Sequence, residues 1–434
     1  MISSPAPPAA VPPSVGGRRV FQFAQRVGHF ASIQMVVQLL GFASGILLVR
    51  QLDQHEYAFF TIANTMQGTI NILADIGISI GLVSIGGRVW QDGHRFGQLI
   101  RTGLKLRRKL GATAVLGITP LLFYMLVKNG ASVGYAAILI IAVLGALYIQ
   151  LSLGVLDVIP RLRSDIRQIQ KIDFTGSIVR LAVLIALAFI FLNAGLAVFV
   201  GSGALLLQYL LLRRYARTVV DLQAEENSDD RKAMIGFIRH QAPNAIFFCL
   251  QGQITILLIT IFGQRAGAVA EVGALGRLAM IFTVVGSVIL NIFAPAFARC
   301  QNARRLGWLY AGIAGGVVAF SLIILGGAAL LPDQFLFVLG NRYSHLQHEL
   351  LLMVGGATLT MIANTLWTLN ASRAWIAGSW LYIPLTLGTQ LFLIPFVDFS
   401  TVTGVLTFNL FSALPSLVLN VGLGYRGFRQ PLPA

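Results

Sequence analysis

Charge is what this sequence has least of. Only 11% of its 434 residues are Asp, Glu, Lys or Arg, where a water-soluble domain carries about 25%. Acidic side chains are scarcer than basic ones, 16 against 32. Cysteine is nearly missing: Cys249 lies inside one apolar run and Cys300 at the end of another, so neither a disulfide framework nor a cysteine metal cluster is implied. Long polar segments are rare, and the longest is RRYARTVVDLQAEENSDDRKAMIGFIRH, residues 213–240. What remains is apolar, with 56% hydrophobic residues and a mean hydropathy of +0.77. No single water-soluble core hides so many apolar side chains. Several runs also reach the roughly 20 residues that cross a bilayer as a helix. The sequence therefore predicts an all-α integral membrane protein.

The residue sets that carry covalent chemistry are missing too. Of the six histidines only His345 and His348 are close, in NRYSHLQHEL, and this order is not H-E-x-x-H. Two histidines three apart need a third ligand to hold a metal. No Walker A sequence is present. Neither an enzyme nor a cofactor is expected.

Twelve apolar runs have the length of spans, from 30–49 to 400–422, with 57–86 and 174–192 among them. Residues 1–28 read as a disordered cytoplasmic tail, because MISSPAPPAAVPPSVGG is rich in Pro and Ala and uncharged. It lacks the basic start of a signal peptide, and the apolar stretch after Arg18, Arg19 and Arg26 is too long for one. Residues 29–212 form a first six-helix bundle, 213–240 a cytoplasmic linker, and 241–434 a second six-helix bundle with a short tail. With both termini cytoplasmic, the basic loops fall on the inside. Only Arg50, Lys128, Arg265 and Arg342 fall outside, as the positive-inside rule requires. The net charge of +16 is thus a matter of topology, and no nucleic-acid partner is expected. The stretch RVWQDGHRFGQLIRTGLKLRRKL, 88–110, sets Phe96, Leu99, Ile100 and Leu104 at helical spacing among its basic residues. It suits a helix lying on an anionic leaflet, and equally a loop that sets topology.

Three ionisable residues fall within spans: Asp75, Arg180 and Arg277, with Asp157 at a span's inner end. A charge near a helix centre costs about 2.5–3.5 kcal/mol on insertion scales, so it normally faces a cavity or a partner. Arg180, one or two turns from the inner surface, suits snorkelling as well as a cavity. Arg277, flanked by Gly273, Ala274 and Gly276, suits a cavity. For Asp75, ion coupling and helix pairing stand level. Two arginines and one acid favour an anionic ligand, since guanidinium binds phosphate in a planar, bidentate way and keeps its proton. The pairs Gly41/Gly45 and Gly77/Gly81 read as close helix packing.

The stretch LLVRQLDQHEYAFFTIANTMQGTINILADIGISIGLV resembles the first-to-second-helix segment of the Wzx-type flippases. These belong to the multidrug/oligosaccharidyl-lipid/polysaccharide exporter superfamily. Arg50, Leu52, Glu56, Tyr57, Asp75 and Gly77 match its pattern, while Asp53 and Gln54 replace the usual Gly-Pro and Ala58 the usual Gly. Gly340, Tyr343 and Ala371 match a second segment, and Pro295 matches a helix-ending proline. The similarity runs in order along nearly the whole chain. It implies two six-helix bundles around a central cavity and alternating access. The cargo would be an isoprenoid-diphosphate-linked oligosaccharide, moved across the bacterial inner membrane for surface polysaccharide assembly. Arg277, then Arg180 and Arg50, would meet the diphosphate. The partners implied are that lipid-linked oligosaccharide, membrane lipids, a polysaccharide polymerase and a chain-length regulator. Two alternatives stand beside it: a cation-coupled exporter of small molecules with Asp75 as the coupling site, and a membrane polysaccharide polymerase or ligase.

Overall fold

In a computed structural model, residues 17–163, 165–263, 267–298, 300, 302–373, 375–376 and 378–429 are described, and they are helical with no strand among them. The first lobe comprises α1 (Gly17–Gln51), α2 (Gln54–Ala74), α3 (Ile78–Val89), α4 (Gly93–Lys128), α5 (Val133–Leu156), α6 (Val158–Leu162), α7 (Ile166–Ala188) and α8 (Ala194–Val219). Next come α9 (Ser228–Phe262), α10 (Ala268–Leu278), α11 (Ile281–Val288) and α12 (Ala294–Ala298). The chain closes with α13 (Ala303–Leu330), α14 (Pro332–Leu339), α15 (Gln347–Ser372), α16 (Tyr382–Leu393), α17 (Val402–Ser412) and α18 (Leu414–Phe428).

Short polar side chains start the helices. Asp53, Asp92, Ser132, Asn193, Asn227, Asn302 and Thr401 each accept a hydrogen bond from a first-turn backbone N–H, which satisfies donors that a helix start leaves orphaned. Along the flanks, Phe189, Leu330 and Leu116 are 87%, 82% and 77% exposed. Left in water, each would forfeit much of the roughly 1.5–3 kcal/mol that burying such a side chain yields. This surface is built for lipid.

Ten helices are long and apolar enough to cross a membrane, eleven if the bent pair α2 and α3 counts as one, against the twelve spans expected. The remaining expected span, 174–192, coincides with α7. That helix carries Arg167, Lys171, Asp173 and Arg180, too much charge for the same class. Two further expectations change. Helix α1 begins at Gly17, so the expected tail is helical from there to residue 28; residues 1–16 lie outside the described residues, as do Arg265, Arg299 and the side chains of Arg18, Arg19, Arg26 and Pro295. Residues 93–110 are not a separate surface helix. They are the first half of the continuous α4, whose Phe96, Leu99 and Ile100 are fully buried in the core that α4 shares with α3, α6 and α8.

The loops alternate between two ends of the molecule. One, the basic end, gathers residues 90–92, 163, 165, 220–227, 373, 375–376 and 378. There the expected linker proves short. It docks on α4, with Arg95 forking onto Asp230 at 2.5 and 2.7 Å, His94 on Asp221 at 2.9 Å and Lys105 on Glu226 at 2.5 Å. Asp221 beside His94 and Glu226 beside Lys105 are held below the ordinary carboxyl range by those hydrogen bonds. The approach is so close that a Cβ on Gly97 would lie 2.0 Å from the Asp221 carbonyl oxygen.

Hydrophobic packing divides the two ends. Away from the basic end, α1, α2, α4, α5 and α8 share one apolar core with α10, α14, α15 and α17. At the basic end the first lobe has its own core around Phe96, Leu99 and Ile159, and the second has another around Phe297, Leu306 and Trp375. The lobes are joined at one end and packed separately at the other.

Candidate functional site

The joined end is fastened by LVRQLDQHEY, the corner between α1 and α2. Arg50 donates from Nε to the Val338 carbonyl (2.9 Å) and from Nη2 to the Phe337 carbonyl (2.5 Å). These carbonyls belong to the last turn of α14, where a helix leaves its acceptors unsatisfied. In return, Arg342 Nη1 donates to the Leu52 carbonyl at 2.6 Å. Gln54 Nε2 donates to Glu271 Oε1 at 3.5 Å, and His345 Nε2 lies 3.4 Å from the same oxygen. Glu56 stays within its own lobe, accepting from Tyr135 Oη and Ala194 N at 2.6 Å each. An anion at the start of α8 also meets the positive end of its dipole. Arg50 therefore ties the two lobes together, with two of its donors taken by backbone carbonyls. Its place in the sequence, beside a helix end, gave no hint of carbonyls nearly 290 residues away.

Below this corner lies Arg277, in the last turn of α10, just before the chain breaks at Ala279–Met280 into α11. Its Nε donates to Tyr57 Oη at 3.2 Å, and its guanidinium carbon lies 5.8 Å from the Phe60 ring centre. Gly45 on α1 leaves room for the stem, since a Cβ there would stand 3.1 Å from Arg277 Cδ. Gly41, its expected packing partner, has open space around it.

Arg180 on α7 faces the same region, near enough for the charge of Arg277 to act on it. Helix α7 starts at Ile166, which puts Arg180 about 21 Å along a helix that rises 1.5 Å per residue. Its Nε is buried without a hydrogen-bond partner among the described residues. Neither arginine has a carboxylate within 4 Å among the described residues. The structure thus brings together two of the three expected arginines, under the fastened end and above the separated one.

Asp75 stands apart from them. It ends α2, and Gly77, with φ +69°, starts α3 after a 46° bend. Oδ1 accepts from Ser79 Oγ at 2.8 Å and pairs with Arg107 Nη1 at 3.3 Å. Arg107 also donates to Asn71 Oδ1 at 3.2 Å. Gly154 makes way for it, since a Cβ there would collide with Nη1 at 2.3 Å. Sequence reasoning missed Arg107, which sits in a basic run yet is only 4% exposed. A signal was present: Phe96, Leu99, Ile100, Gly103 and Arg107 fall on one helical face.

No protein-family model matches the sequence, and no curated protein matches it. Solved structures do. An inward-facing multidrug resistance MATE family transporter of the MOP superfamily is 14% identical, with a TM-score of 0.65 over 91% of this chain and 98% of that one. An outward-facing MATE family transporter gives 0.58 at 15% identity over 93% and 94%. A MOP superfamily transporter from Pyrococcus furiosus, described as having a binding pocket of reverse polarity that suggests a different function, also gives 0.58 at 15% over 93% and 94%. This likeness shows the fold: two helical lobes in the MATE arrangement.

Proposed function

We propose that this chain is an alternating-access transporter whose cargo is an anionic amphiphile, a lipid-linked oligosaccharide carrying a diphosphate. The observation that carries this reading is the meeting of Arg180 and Arg277 without a carboxylate. In a low-dielectric setting, two such charges repel and seek an anion, and guanidinium matches phosphate oxygens in a bidentate way. The separated basic end supplies the path by which cargo reaches them, and the fastened end bars its exit. By the positive-inside rule the basic end faces the cytoplasm, so this is the inward-facing state. An anion leaving a negative interior also gains about 2.3 kcal/mol per charge for each 100 mV. The place of action is then the bacterial inner membrane, beside a polysaccharide polymerase and a chain-length regulator.

The test is flipping of a fluorescent isoprenoid-diphosphate oligosaccharide in proteoliposomes. Wild type should move it, and Arg277→Gln and Arg180→Gln should fail while remaining folded. Flipping by both variants at the wild-type rate would overturn the reading.

The second reading, cation-coupled export of small molecules, is favoured by the fold neighbours that are multidrug resistance transporters. Asp75 would be its coupling group, and would have to release Arg107 and Ser79 to act. Export that follows a sodium or proton gradient, and is lost in Asp75→Asn, would establish it over the first.

A further inference from the structure

A second cationic feature lies on the outer flank of the first lobe, away from Arg180 and Arg277. The exposed face of α4 carries Arg101, Lys105, Arg108 and Lys109, and the end of α8 sets Arg213 and Arg217 opposite them. Between these helices and residues 220–226 run two adjoining grooves of about 700 and 550 Å³, both lined by Arg101, Leu104, Arg108 and Gln223. The acids nearby do not neutralise the rim. Asp221 is engaged by His94 and Glu226 by Lys105. Glu225 is exposed. Arg101, Arg108, Lys109, Arg213 and Arg217 have no carboxylate within 4 Å among the described residues.

The floor of the groove is apolar, with Leu104, Ala112, Leu156 and Tyr209. Two arginines sit over rings: Arg108 is 5.1 Å from the Tyr148 centroid and Arg213 is 5.8 Å from that of Tyr209. Tyr148 is 59% exposed, on the same flank as the lipid-facing Leu116 and Ile141. Tyrosine marks the level where a bilayer meets water. Cations held at that level, over an apolar floor that opens toward lipid, fit a molecule with a phosphate head and an acyl tail. A soluble anion would use the rim alone. Topology needs basic residues in a loop, but it does not need cations from two helices a hundred residues apart to converge over aromatic rings.

We propose that this groove binds the phosphate headgroup of an anionic membrane phospholipid. The test uses the full chain in detergent, titrated with phosphatidylglycerol or phosphatidylcholine and read by native mass spectrometry. Wild type should retain phosphatidylglycerol at least about fivefold better, as clustered basic residues near an anionic headgroup imply. R108Q/R213Q/R217Q should lose that preference, and R108K/R213K/R217K should keep most of it. The exposed pair R213Q/R217Q gives the same reading where the triple variant does not fold. R304Q/R305Q, basic residues of the other lobe, should match wild type. Equal retention of the two lipids, or an unchanged preference in the glutamine variants, would overturn the proposal. So would release of the bound lipid by millimolar inorganic phosphate, which would mark a site for soluble phosphate.

Discussion

Arg107 and the pair Arg180 and Arg277 all lie on helices of the lobes, yet their surroundings are opposite. Arg107 has a carboxylate, an amide and a glycine cut to its shape. Arg180 and Arg277 have each other, a tyrosine hydroxyl and an aromatic face. The first arrangement pairs a buried charge with a carboxylate, although the Arg107 Nε, like that of Arg180, has no hydrogen-bond partner among the described residues. The second leaves positive charge in excess where the lobes meet. A buried charge that is balanced serves the fold, and one left unbalanced awaits something from outside.

That contrast can be broken from either side. The largest effect should come from Asp75→Asn, which strands Arg107. Removing one partner of a buried pair costs roughly 3–5 kcal/mol, and the cost here should fall toward the lower figure because Asp75 is one-third exposed. A thermal melt in detergent reads it, and Asp75→Asn with Arg107→Gln should recover part of the loss. Arg277→Gln should do the reverse, leaving the melt nearly unchanged. Under the proposed function, losing a charged hydrogen bond of about 1.5–3 kcal/mol to the proposed cargo should slow flipping roughly ten- to hundredfold. Arg50→Ala with Arg342→Ala loosens the fastened end without touching either site. Maleimide labelling of Thr61→Cys from that side should rise by about an order of magnitude, as the loss of charge-assisted bonds to backbone implies. The smallest effect concerns pH at the linker. Asp221 and Glu226 are held below their ordinary values, so their contribution is complete above about pH 4–5 and fades as acid protonates them. Hydrogen exchange over 220–227 should be constant from pH 8 to about 5, once corrected for intrinsic rate, and quicken below about 4.

Much of the fold was legible in the residues. Apolar runs located the helices, whereas the caps Asp53, Asp92, Ser132 and Asn193 are evident only in the structure. Asp75-Ile76-Gly77 could be read as a break because only the glycine adopts φ +69° freely. Two features could not be read. The start of α7 lies eight residues before its apolar run, because Arg167, Lys171 and Asp173 interrupt the hydrophobic signal there. The contacts of Arg50 lie across the molecule, and no local pattern encodes a contact of that range. Arg107 lies between these cases: its helical face betrayed it, but the basic residues beside it masked the signal.

The clasp between the linker and α4 has a mechanical consequence. Arg95 grips Asp230, and Gly97 admits the Asp221 backbone. Further along, Gly77 admits the backbone of Phe237, where a Cβ would lie 2.8 Å from it, and Gly81 abuts Met234. Residues 221–238 are thus riveted to the first lobe and cannot act as a flexible strap. If the lobes swing, the pivot must lie further on in α9. Pro243 stands there inside the helix, with no N–H to offer the turn before it and a ring that crowds it. The polar segment that divides the sequence is a handle of one half.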